Sequence, residues 1–123
     1  MGIIAWYIGP QMIGAVFLLV GWIQKTFPPK TINNLYGYRM PSAMKNQQTW
    51  DEANRYSAVY MIKGGAVLLI GGLLITLLLT RITMAADTYS VINLLLILAA
   101  TMGSVVAMMM ATERHLEKTF DEK

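Results

Sequence analysis

The chain has 123 residues, 55% of them hydrophobic and 14% charged, with a formal net charge of +3 and no cysteine. That length admits one domain at most, and a soluble chain so short could not bury this much apolar surface; a typical soluble domain carries roughly 25% charged residues. The missing cysteine excludes disulfides, thiolate metal sites and a cysteine nucleophile.

The apolar residues fall in three runs with little scatter between them, and mean hydropathy is +0.47. Lipid is therefore the expected solvent. A pI near 9.3 would suggest nucleic acid in a soluble protein. Here the basic residues stand beside apolar runs, so a cytoplasmic-face bias accounts for them, and no direct nucleic-acid partner is expected.

Residues 1–23 have no basic n-region, no small-x-small cleavage pattern after them, and an apolar stretch too long for a signal-peptide core. They read as a retained transmembrane helix over about 3–23, since about 20 apolar residues cross the hydrocarbon core. Pro10 falls inside that span, where proline removes a backbone bond and kinks a helix. Gly14 and Gly21, seven apart, share a face suited to close helix packing. Trp6, Tyr7 and Trp22 sit near the ends, where interfacial aromatics belong.

Residues 24–57 are polar. Phe27-Pro28-Pro29 ends the first helix, and Asn33-Asn34 reads as a turn. Thr49-Trp50-Asp51-Glu52 has the form of a capping box, Thr49 taking the backbone N–H of Glu52 and Glu52 reaching back to Thr49. A helix is expected to start near Trp50 and run unbroken into a second span over about 58–80. Gly64-Gly65 and Gly71-Gly72 offer that span a stripe for helix contact. Lys63 lies one turn inside it. It either snorkels to the interface or faces the bundle interior and meets a carboxylate or ligand.

After a short connection over 81–90, a third span is expected over about 91–111. Ala99, Gly103, Ala107 and Ala111 form another ridge of small residues, through which the chain could pair with a second copy or join a larger complex. Met108-Met109-Met110 reads as packing filler or lipid-facing surface, and no metal or other cofactor is expected. The tail from 113 to 123 mixes charges, and His115 reads as a solvated interfacial residue with no second histidine or cysteine to form a site.

The expected fold is all-α: one integral membrane domain over 1–123 with three transmembrane helices. Lys25, Lys30, Arg39, Lys45, Arg55 and Lys63 belong to the first loop and its edges, and Arg114, Lys118 and Lys123 to the tail; Arg81 alone lies on the other side. Positively charged loops stay in the cytoplasm. The N-terminus is therefore expected outside, the loop over 24–57 inside and the C-terminus inside.

That loop holds no catalytic set. There is no Ser-His-Asp combination, no paired histidine and no phosphate-binding glycine loop, and adjacent Asp51 and Glu52 point to different sides of a helix. No enzymatic activity is expected. What the loop does hold is an arginine among aromatics. Gly37 suits an unusual backbone angle, and Tyr36, Tyr38, Trp50 and Tyr56 suit the membrane interface. Arg39 suits a carboxylate, a phosphate or a lipid head group, or the C-terminus of a helix.

Asn33, then Gly37-Tyr38-Arg39, Pro41-Ser42, Lys45-Asn46 and Trp50, Ala53 and Asn54 resemble the signature of the SdpI family, named for a bacterial membrane protein that gives immunity to a secreted toxic peptide. Met40 stands where the pattern has threonine. The resemblance implies a minimal SdpI-like module in the bacterial inner membrane, with Asn33, Gly37, Tyr38, Arg39, Pro41, Ser42, Trp50 and Asn54 as binding residues. Its implied role is immunity or envelope protection by recognising a toxic peptide, or signalling by holding a repressor at the membrane. An accessory subunit of a larger membrane complex and a small transporter or lipid-binding protein are the alternatives.

Overall fold

The structure, a computed structural model describing residues 3–121, is all helical. A 3-10 turn at Ile3–Trp6 precedes three helices, α1 (Pro10–Thr26), α2 (Gln47–Arg81) and α3 (Ala86–Leu116), and a π-helical turn at Glu117–Asp121 follows. No strand occurs among the described residues. Lys123, in the count of basic residues, lies outside them, as do Met1 and Gly2 ahead of the expected first span.

The stretch expected as one kinked span over 3–23 is divided. Pro10 begins a helix instead of kinking one. At the first helical position its missing N–H costs nothing and its fixed φ is already helical. The 17 residues of α1 rise about 26 Å, slightly less than the roughly 30 Å of the hydrocarbon core. By length and composition, α2 and α3 are the helices able to cross a membrane.

The interruption between the 3-10 turn and α1 leaves backbone carbonyls without helical partners, and buried amide side chains supply donors. Gln11 Nε2 donates to the Ala5 carbonyl at 3.0 Å, and Asn93 Nδ2 donates to the Ile8 carbonyl at 2.9 Å. The Gln11 side-chain oxygen in turn accepts the Thr76 hydroxyl at 3.1 Å.

Helices α1 and α2 pack through glycine. A Cβ at Gly14 would lie 2.8 Å from the Gly65 carbonyl oxygen, and one at Gly65 would lie 2.8 Å from that of Gly14. Gly21 approaches the Ala58 carbonyl as closely, and Gly72 abuts Gln11. Only the second glycine of each α2 pair makes this approach. Gly64 is in ordinary contact with Phe17, and a Cβ at Gly71 would meet nothing within 4 Å.

The ridge on α3 departs from expectation more fully. Ala99, Gly103 and Ala107 are exposed, and Gly103 also has nothing within 4 Å. Instead α3 is held at its two ends: its buried residues are Tyr89 and Asn93 near the start and Thr112 and Leu116 near the finish.

Helix α2 starts one turn earlier than expected. Asn46 is the N-cap, its side chain accepting the Thr49 backbone N–H at 2.9 Å, while the Thr49 hydroxyl accepts the Asn46 backbone N–H at 3.2 Å. Thr49 is thus the far member of the capping box and not its first. Glu52 is left free for other partners, and residues 47–57 form three helical turns ahead of the apolar run.

Candidate functional site

The loop between α1 and α2 is folded back on the helix ends by its own motif residues. Trp50 is 0% exposed, and its indole N–H donates to the Pro29 carbonyl at 2.7 Å. That bond ties the start of α2 to the chain leaving α1. Asn33 makes the expected turn, its Oδ1 accepting the N–H groups of Leu35 and Tyr36, each at 2.8 Å. The Tyr36 hydroxyl then donates to the Phe27 carbonyl at 2.6 Å, covering the end of α1.

Gly37 has φ 103°, the one left-handed angle among the described residues. A Cβ there would strike Asn54 Oδ1 and lie 2.7 Å from Pro29 Cγ. The close approach is needed because Asn54 Oδ1 accepts the Tyr38 backbone N–H at 2.6 Å. Asn54 also donates to the Trp50 carbonyl at 2.9 Å, so one side chain joins loop to helix. Gln24 reaches across from α1, donating to the Asn54 carbonyl at 2.8 Å and to Ser57 Oγ at 2.9 Å.

From this anchor the chain turns toward α3. Pro41 is the second residue of a turn closed by Ala43 N–H donating to the Met40 carbonyl at 2.9 Å. The Tyr38 hydroxyl donates to Glu113 Oε2 at 2.6 Å, and Ser42 Oγ donates to the same carboxylate at 2.6 Å. Burial, reinforced by the Glu113 carboxylate, pushes the Tyr38 hydroxyl above its ordinary value and keeps it a donor.

Asn33, Gly37, Tyr38, Pro41, Ser42, Trp50 and Asn54 therefore build the loop. Arg39 is different: it is exposed and donates to the Asn34 carbonyl through one nitrogen, which leaves most of its five donors unused. It borders a cavity of about 550 Å³ lined also by Leu35, Met40, Met61, Met108 and Met109. Leu35, at the rim, is 90% exposed. Methionines from the loop, α2 and α3 thus meet around one space, where Met108 and Met109 had read as lipid-facing or filler.

Lys63 stands apart from this group, exposed on the side of α2 that faces α3. His115 is not a solvated bystander. Its Nε2 lies 2.5 Å from Glu52 Oε2, and its ring stacks on Tyr56 with centroids 4.1 Å apart. Glu52 also pairs with Arg55, which, with lesser help from His115, holds its carboxyl down to about 2.

Two residues central to the site escaped the sequence reading. Glu113 had read as one tail charge among several, and Gln24 as the edge of a polar loop. The signal for Glu113 is its place one turn after Met109, where the apolar run stops but the helix does not.

A model of the SdpI/YfhL protein family matches residues 30–112, from the loop through most of α3. The protein named "Uncharacterized protein YfhL" from Bacillus subtilis (strain 168) is 38% identical over 104 residues, covering 85% of this chain and 82% of its own. No solved structure matches. The match takes in every motif residue from Asn33 to Asn54, and on that evidence the chain belongs to the SdpI/YfhL family.

Proposed function

We propose that this protein acts in immunity or envelope protection by holding a toxic peptide at the cavity beside the motif loop. The observation that carries the reading is the division of labour among the motif residues. The other motif residues shape or tie the loop, whereas Arg39 spends one nitrogen on the Asn34 carbonyl and borders a methionine-lined space. Methionine is unbranched and polarisable, so such a lining adapts to apolar side chains of varied shape. Arginine adds a planar fork that matches a carboxylate. An apolar side chain beside a carboxylate is what the end of a hydrophobic peptide presents. On this reading α1, α2 and α3 all cross the inner membrane, with the N-terminus outside and the loop and C-terminus in the cytoplasm. A membrane-bound repressor segment would meet the same chemistry from that side.

The test is survival of cells challenged with a secreted toxic peptide, with Arg39→Lys and Arg39→Ala at matched membrane levels. Lysine keeps the charge but not the fork, so both variants should lose protection to a similar extent. Full protection by the lysine variant would reduce Arg39 to a charge, and full protection by both would remove it from the site. Reporter fusions at Ala43 and at the C-terminus, both reading cytoplasmic, with one at Asp87 reading external, check the orientation in the same cells; opposite readings at the first two would overturn the span count.

A further inference from the structure

Because α3 is held only at its ends, a gap opens between its middle and α2. It forms a cavity of about 530 Å³, separate from the motif loop. Gly64 and Gly103 both line it, and a Cβ at Gly103 would meet nothing within 4 Å. Since α2 and α3 run antiparallel, Lys63 and Ser104 lie at one level, with Tyr60 a turn nearer the loop. Val67 and Ala100 lie a turn deeper. The groove is polar at its loop end and apolar toward the middle of the helices.

Lys63 makes no hydrogen bond or ion pair to any described residue. It lies five residues into the apolar run, about 8 Å below its start. Side chains of a helix lean toward its N-terminus, which for α2 is the loop end, so the ammonium reaches the level of lipid head groups. A charge at this depth calls for a counter-charge. No Asp or Glu occurs in residues 3–23, 58–80 or 91–111. The apolar spans therefore offer Lys63 no carboxylate at its own depth.

We propose that this groove binds an anionic phospholipid, with its phosphate on Lys63 and one acyl chain lying between Val67 and Ala100. The polarity of the groove then runs in the same sense as that of the lipid. The site does not depend on peptide recognition at the motif loop.

The test uses the full chain in nanodiscs of equimolar phosphatidylglycerol and phosphatidylcholine, followed by native mass spectrometry of the lipid retained. The unsubstituted protein should retain phosphatidylglycerol over phosphatidylcholine about fivefold, the order expected of one lysine at an anionic surface. Lys63→Gln should bring that ratio near one. Gly103→Leu, whose Cβ would meet nothing within 4 Å, extends into the groove and should lower retention of both lipids. Lys25→Gln, at an exposed interfacial position on α1, should change neither. The proposal is overturned if Lys63→Gln retains phosphatidylglycerol undiminished, if Lys25→Gln abolishes the preference equally, or if Gly103→Leu has no effect. It is overturned too by a lipid-free dimer that Gly103→Leu converts to monomer, because the groove would then be a contact between copies.

Discussion

Glu52 shows how far one side chain can depart from its apparent role. Read in sequence it caps a helix; in the structure it joins α2 to α3 through His115 and is paired with Arg55. Its carboxyl is held at about 2, against an ordinary value of 4.5. A depressed folded-state value means that the ionised form is favoured by folding, so this contribution is complete above about 4.5 and is lost as the pH falls toward 2. Acid should therefore loosen the loop end of α3 over that window. In detergent, thermal stability should fall from pH 5 to pH 3 more steeply in the native protein than in Glu52→Gln. Identical slopes would show that the contact carries no such linkage. The need for glycine at position 37 was legible, because few other residues accept such an angle. The role of Glu113 was not, since Tyr38 and Ser42 lie 75 and 71 residues away in sequence.

The three helices were legible as blocks of apolar residues, and the contact between α1 and α2 as glycines seven apart. Which glycine of each pair makes the contact was not. Adjacent residues differ by about 100° around a helix, and only the packed partner selects between them. That selection gives a sharp contrast. Gly65→Leu places side-chain atoms against the α1 backbone, so it should destabilise the fold by about 3 kcal/mol or more, beyond ordinary overpacking. Gly71→Leu projects into open space and should leave thermal stability in detergent unchanged. Equal losses from both would mean that the two helices meet on another face. Pro10 and Thr49 were misplaced for a related reason: each is compatible with two registers, and the competing turn signal, Gly9 in one case and Asn46 in the other, decides.

At the scale of the whole molecule, the match to lipid was legible in composition, whereas the way α3 is held was not, because it depends on bonds between distant polar residues. Asn93 is tied to the break before α1, and Glu113 to the motif loop. These two ties are twenty residues apart, about 30 Å along the helix, which is the thickness of the hydrocarbon core. With α3 across a membrane, the two ties would mark a fixed rule against which the bilayer is gauged. A thinner or thicker membrane must tilt α3 or strain one of its ties. Across phosphatidylcholines of increasing chain length, the thermal midpoint should pass through a maximum. Asn93→Ala, which releases one end of the rule, should flatten that curve. A midpoint indifferent to chain length in the native protein would show that the ties yield as easily as the lipid does.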